Sequence, residues 1–306
     1  MDNFKEVFKY TDTAGAEKIL INGTLKFSTP KTLNDPYDLS EIKIFGYNFL
    51  DSKLREEEIE EHIKLLFTQD DLPAPNNNSL TTVFFYLRSH LIKLPEEKQK
   101  EAFNTLRKEL LEEEPDFKQF EESDKVAREF FNKSFASDVI FCGSKKFNNM
   151  PLWAHYAENH KGVVFKFVPN IAKDSVLRTL REVKYTSAKP VIYRSPKDLL
   201  HKSLFGDLNE NLLKFITEHV HTKGLDWKYE DEIRIFVANV PGRPFFQFYN
   251  YQADELAALY LGYNMKPSDK EKFQVFAIAK NPKIEIYEMI KPSGANGFEL
   301  NSSRIK

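Results

Sequence analysis

Hydrophobic and polar residues alternate at the start of the chain and again through its second half, with a long stretch of helical spacing between. Val7-Phe8-Lys9-Tyr10 reads as a short strand ending at Thr11-Asp12. Asp12 or Thr13 is placed to cap a brief helix over 14–21, and Asn22-Gly23 stops it. Leu25-Lys26-Phe27-Ser28 alternates as a second strand. Thr32-Leu33-Asn34-Asp35-Pro36-Tyr37-Asp38 is a dense polar turn, in which Pro36 biases Asp35 away from the helical region. A third strand is predicted over 40–45.

At Asp51 the period changes. Apolar residues recur at three- and four-residue spacing over 51–67, 80–92, 96–113 and 117–135, which predicts four helices with a loop at 72–78. The run Glu56-Glu57-Glu58-Ile59-Glu60-Glu61 reads as a solvated helix face, and a docking surface is the alternative. Sheet spacing returns at 138–142 and 162–167, with one helix over 150–160 between them. Short strands at 182–185 and 191–193 flank Pro190, and 196–221 is helical. The longest strand runs over 229–240 and is closed by Pro241-Gly242-Arg243-Pro244. A buried strand at 256–263, a helix at 267–277 and a strand at 283–288 complete the pattern. The chain is therefore α+β, with a sheet-containing core from 1–50 and 136–306 and a helical insertion over 51–135.

Composition narrows the setting more than the chemistry. The 306 residues carry 44 Lys plus Arg against 46 Asp plus Glu, so no global basic charge points to nucleic acid or a membrane surface. Cys142 is the single cysteine, which excludes an internal disulfide or a multi-cysteine metal site. Its apolar strand context reads as a buried small residue rather than a nucleophile. No apolar run approaches the ~20 residues of a bilayer span, and MDNFKEVFKYTD has no signal-peptide core. A soluble cytoplasmic protein without membrane partners is expected. GxGxxG, GxxxxGK[ST], GxSxG and HExxH are absent, and His155 and His160 lack the helical spacing of a zinc pair, so no metal site is predicted.

Three clusters carry polar chemistry. In Trp227-Lys228-Tyr229-Glu230-Asp231-Glu232-Ile233-Arg234, a strand would project Glu230, Glu232 and Arg234 from one face. Such a row suits sugar hydroxyls or a developing cation, and also fits an exposed charge stripe with Ile233 and Ile235 facing the core. In Met150–Gly162, helical spacing puts Trp153, Tyr156 and His160 on one face, suited either to stacking a flat ring or to a packed core. The third cluster joins Phe8-Lys9-Tyr10-Thr11 with Asn34-Asp35-Pro36-Tyr37-Asp38, a polar turn of the kind that usually satisfies its own backbone.

Together, FKYTDTAGAEKILINGTLKFSTPKTLNDPYD, PLWAHYAENHKGVVFKF, KGLDWKYEDEIRIF and LYLGYNM resemble the bacterial family named domain of unknown function twenty-nine seventy-one, in matching order from about residue 5 to 290. The opening strand–helix–strand more distantly resembles the ADP-ribosyltransferase fold, which implies a mainly antiparallel sheet core. Many relatives begin with His-Tyr-Thr where transferases hold the NAD ribose, and Lys9 replaces that His here. Glu230-Asp231-Glu232 looks like the Glu-x-Glu of arginine-type transferases, whose second Glu holds the nicotinamide ribose and stabilises an oxocarbenium-like transition state.

The resemblance implies an NAD-consuming ADP-ribosyltransferase-like protein, a toxin or phage-defence effector, acting on a protein or nucleic-acid acceptor. Glu232, Glu230 and Arg234 would be catalytic. Lys9, Tyr10, Thr11, Asn34, Asp35, Trp153, Tyr156 and Tyr229 would bind NAD or another small nucleotide, with Trp153 and Tyr156 lining the cavity that holds the carboxylates. Two rivals stand beside it: a non-enzymatic ligand- or partner-binding module, and a hydrolase or nuclease using Asp35, Glu230 and Glu232 with a metal.

Overall fold

The computed structural model describes residues 6–40, 42–48, 51–76, 78–113, 117–238, 246–291 and 300–306. The first strand, β1 (Val7–Thr11), leads into α1 (Thr13–Asn22) and β2 (Thr24–Ser28), followed by β3 (Lys43–Phe45). Then come α2 (Ser52–Phe67), α3 (Ser79–Leu91), α4 (Glu96–Glu112) and α5 (Phe117–Phe135). The chain continues as β4 (Val139–Ser144), α6 (Met150–Tyr156), β5 (Val163–Phe167), β6 (Arg181–Glu182), β7 (Lys184–Thr186) and β8 (Val191–Tyr193). It ends with α7 (Pro196–Phe205), α8 (Leu208–Val220), β9 (Thr222–Gly224), β10 (Glu232–Val237), β11 (Phe246–Asn250), β12 (Leu256–Leu261), α9 (Pro267–Lys280), β13 (Glu285–Ile290) and β14 (Asn301–Arg304).

The chain divides into two compact units, one of residues 1–40, 133–188 and 221–306, the other of 41–132 and 189–220. In the first, a sheet runs in the order β11-β2-β4-β1-β5-β12-β13-β14, with β10 paired to β4 and β6 to β10. Its ladders are antiparallel except β12–β13, so the fold is α+β with a mainly antiparallel sheet. Strict alternation gives each strand two faces. Val7, Phe165, Phe167, Leu259 and Leu261 pack with Ile19 and Leu20 of α1 and Phe273 of α9. Phe8, Tyr10, Val164, Ala258 and Tyr260 pack with Leu152 and Trp153 of α6. Each such large apolar side chain contributes about 1.5–3 kcal/mol by leaving water.

Local signals account for the entry into this sheet. Asp12 caps α1 by accepting from the Gly15 amide at 2.6 Å, and Gly23 ends it at φ 66°, with its N–H on the Ile19 carbonyl. Strand β4 then sets the geometry of the site. One edge pairs with β10 from Glu232↔Ser144 to Val237↔Val139. The other edge meets β2 at Ile140↔Ser28 and β1 at Ser144↔Phe8. Between those two registers β1 and β2 part, and the Lys9 ammonium takes a strand's place by donating to the Cys142 carbonyl at 2.8 Å.

The second unit holds helices α2, α3, α4, α7 and α8 and the parallel pair β3–β8, whose register is Lys43↔Val191 and Phe45↔Tyr193. Phe84, Leu200 and Leu204 are among its buried apolar residues. The acidic run of α2 is partly bound within this unit: Arg107 of α4 bonds Glu56 and Glu60, and Lys64 and Lys197 pair with Glu61.

Several elements differ from the sequence pattern. All described residues of 51–135 are helix or connection, but the compact unit that holds 51–132 begins at 41 and also takes in 189–220. The third strand pairs with β8 rather than entering the main sheet. The helix expected over 196–221 breaks at Gly206, where an added Cβ would meet the Lys202 carbonyl at 2.7 Å. The helix expected over 150–160 stops at Tyr156, and the strand expected over 229–240 begins only at Glu232. Residues 239–245, including the Pro241–Pro244 turn, and the first five residues lie outside the described residues.

Candidate functional site

A cavity of about 240 Å³ opens where β1 and β2 diverge across β4. Lys9 and Tyr10 of β1, Lys26 and Ser28 of β2, and Cys142 and Ser144 of β4 line it, together with Asn34, Asp38, Tyr156, Lys223, Glu230 and Glu232.

The two glutamates arrive by a route that simple alternation misses. Glu230 is the last residue of a 3₁₀ turn, Leu225–Glu230, and Glu232 is the first residue of β10. Between them Asp231 adopts left-handed backbone at φ 49°, a conformation Asp tolerates better than most residues. Its carboxylate turns to Lys146 at 3.0 Å, and its carbonyl accepts from the Lys145 amide. Both neighbouring glutamates are left against one ammonium: Lys223 Nζ donates to Glu230 Oε2 at 2.6 Å and to Glu232 Oε2 at 3.2 Å. Lys223 sits on β9, which pairs in parallel with β7, and its ammonium lies 4.6 Å from the Trp227 ring centre.

Arg234 completes the cluster from behind. Its Nε donates to Glu232 Oε1 at 2.9 Å, and Nη1 and Nη2 donate to Asp38 Oδ1 and Oδ2 at 3.1 and 2.6 Å. Asp38, Lys223, Glu230, Glu232 and Arg234 are all buried. Burial opposes the charge on Glu232, but Arg234 and Lys223 outweigh it and hold the carboxyl at about 2. Desolvation likewise opposes the Lys223 charge, and Glu232 and Glu230 overcome it, raising that ammonium above the usual lysine range. The result is an ionised carboxylate fixed by two cations at the wall of a cavity.

Tyr156 ties this cluster to the polar turn after β2. Its hydroxyl donates to Glu230 Oε1 at 2.7 Å and accepts from Asn34 Nδ2 at 2.5 Å. Burial and the adjacent Glu230 raise the phenol, which keeps it a donor. The Tyr10 hydroxyl donates to the Lys146 carbonyl at 2.6 Å and accepts from the Asn149 amide, fixing the start of α6. Burial lowers Lys9 from the ordinary lysine value and raises the Cys142 thiol, which shares a hydrogen bond with Glu232.

The structure thus brings Lys9, Tyr10, Asn34, Tyr156, Glu230 and Glu232 to one cavity. Five other residues read from the sequence lie elsewhere. Trp153 is 0% exposed, packs edge-on to Tyr10 and gives its Nε1–H to the Phe147 carbonyl at 2.7 Å, so it is core and not a stacking wall. The spacing misled because residues 158–160 leave the helix: Glu158, Asn159 and His160 have φ of 51°, 52° and 66°. That turn lays the His160 ring parallel to Trp153, and Gly162 then passes so close to Thr11 that an added Cβ would be 2.2 Å from its carbonyl oxygen. Thr11 serves this crossing and does not line the cavity.

Asp35 caps its own turn through the Tyr37 amide at 2.8 Å, and Tyr229 lies on the 3₁₀ turn with its carbonyl held by Asn149. Arg234 is a support beneath Glu232 rather than a cavity residue. The exposed charge stripe is replaced by a buried network, because Asp38 and Lys223 supply partners the strand alone lacks.

Lys223, Asp38, Lys26 and Cys142 were not among the predicted site residues. Asp38 ends the NDPYD segment of the third cluster without a site role assigned to it, whereas nothing in HTKG marks Lys223 as buried. Cys142 follows its strand pattern but is half-buried and faces the cavity. Among the described residues no group of three or more His, Cys, Asp or Glu is arranged to hold a metal ion. An ammonium, that of Lys223, stands among the carboxylates of Asp38, Glu230 and Glu232.

Residues 152–235 match a family model described as Protein of unknown function (DUF2971). The matched segment contains Tyr156, Lys223, Glu230, Glu232 and Arg234, while Lys9, Asn34 and Asp38 precede it. No curated protein and no solved structure matches the chain. No helix among the described residues is long and apolar enough to cross a membrane.

Proposed function

We propose that this cavity binds NAD and breaks its nicotinamide–ribose bond, passing ADP-ribose to a protein or nucleic-acid acceptor or to water. The observation that carries the reading is the Glu232 carboxylate, held ionised by Arg234 and Lys223 at the cavity wall. As the glycosidic bond opens, its electron pair leaves on the nicotinamide nitrogen and positive charge grows at the ribose carbon. A prepositioned carboxylate stabilises that charge without reorganising at the moment of reaction.

Glu230 is the second acid of this pair, anchored by Tyr156 and Lys223, and takes the proton of the attacking hydroxyl. Tyr10 and Tyr156 line the cavity with aromatic rings, and Lys9 and Asn34 line it with hydrogen-bonding groups. The Glu-x-Glu order and the opening strand–helix–strand support the same reading. In this account the protein acts as a toxin or phage-defence effector whose acceptor is set outside the cavity. Incubating the purified chain with NAD and measuring free nicotinamide tests it: release supports the proposal, and intact NAD with a folded protein refutes it.

One observation favours a ligand-binding module instead. Both Glu230 oxygens already accept hydrogen bonds from within the chain. NAD that protects the protein from thermal unfolding yet is recovered unchanged would decide for that reading.

A further inference from the structure

We infer that Lys9 is a nucleophilic amine of the cavity and captures a small anionic aldehyde or 2-oxo acid as a Schiff base. This goes beyond NAD cleavage and does not depend on it. Lys9 projects into the gap where the β1/β2 edge of β4 has no strand partner, and its nitrogen is fixed there by the Cys142 carbonyl at 2.8 Å and lies 5.0 Å from the Phe141 ring centre. Among the described residues neither Lys9 nor Lys26 makes an ion pair, although both line this cavity.

The groups that act on the Lys9 charge are Cys142 of β4, Glu232 of β10, Lys26 of β2 and Glu230 of the 3₁₀ turn. The two glutamates are each already bound to Lys223, and Glu232 to Arg234 as well, whereas Lys26 opposes a second positive charge. A desolvated lysine beside another cation is the setting in which an amine is populated in its neutral, nucleophilic form. Burial lowers Lys9 in accordance with this. Lys26 offers the incoming molecule a counter-charge, which selects a carbonyl compound bearing a carboxylate or phosphate.

The chemistry balances without further redox input. The amine nitrogen adds to the carbonyl carbon, the π pair moves to oxygen and is protonated, and water leaves as the C=N bond forms. The test uses the full chain with glyoxylate as the probe and cyanoborohydride as the reductant. Hydride then adds to the imine carbon, a solvent proton goes to nitrogen, and peptide mass spectrometry follows the carboxymethylated lysines with time at pH 7. Lys100, whose side chain is 73% exposed, is the internal reference. The inference predicts that Lys9 is modified about tenfold faster than Lys100, and that Lys26→Met slows Lys9 severalfold while leaving Lys100 unchanged. Modification of Lys9 at or below the rate of Lys100 would overturn it, and an unchanged rate in Lys26→Met would overturn the anion preference. None of these results requires NAD turnover.

Discussion

Arg234 and Asp38, 196 residues apart, close on one another through two parallel hydrogen bonds inside the protein. That fork ties the polar turn after β2 to β10 and presses the guanidinium against Glu232. Bidentate geometry of this kind fixes orientation as well as charge.

Removing one member of a buried pair leaves the other charge without compensation. Arg234→Met should therefore lower unfolding stability by about 3–5 kcal/mol, since Asp38 and Glu232 both lose a partner. Chemical denaturation of the variant beside the parent checks this. Asp38→Asn, which keeps the shape and leaves Glu232 bonded, should cost clearly less.

The acid limb of stability has a stated direction. Glu232 has its carboxyl depressed from 4.5 to about 2 in the fold, so the folded state favours the ionised form. Its contribution is fully present above the unfolded value and is lost as pH falls through the folded one. The Glu232 share of stability should hold steady from pH 7 down to about 5 and be lost between roughly 4.5 and 2, with about 3 kcal/mol at stake. Glu232→Gln should flatten that limb, and thermal melts across the range measure it.

Trp153 and Tyr156 should part company when substituted. Trp153→Ala truncates a fully buried ring and should cost about 3–5 kcal/mol. Tyr156→Phe removes the hydroxyl joining Asn34 to the buried Glu230 and should cost about 1–3 kcal/mol, while impairing ligand binding or turnover. Urea unfolding together with an NAD-binding assay separates the two effects.

What the sequence made legible was local. Asp12 and Gly23 announced the ends of α1, and the GVVFKF pattern announced β5, because caps and alternation act within a few residues. Glu230 and Glu232 were grouped correctly but for the wrong geometric reason: the left-handed turn at Asp231, not strand alternation, sets them together. Lys223 carries no such mark: Glu230 and Glu232, seven and nine residues on, reach it only through the 3₁₀ turn, and Asp38 comes from the polar turn after β2. The stacking role expected of Trp153 failed for a similar reason, since the turn at 158–160 folds His160 over it and closes that face. Irregular backbone decided both cases, the 3₁₀ turn before Glu232 and the left-handed run at 158–160, and helical or strand spacing carries no record of it.

Glu232 is proposed to stabilise the charge developing at the ribose carbon of NAD. Nicotinamide release by the parent and by Glu232→Gln, each shown to be folded by thermal melt, tests it most directly. Release by the parent and a loss of about 10²–10³-fold in the variant are expected, with NAD binding largely retained. A folded Glu232→Gln protein that turns over NAD at the parental rate, or a folded parent that releases no nicotinamide, would contradict it.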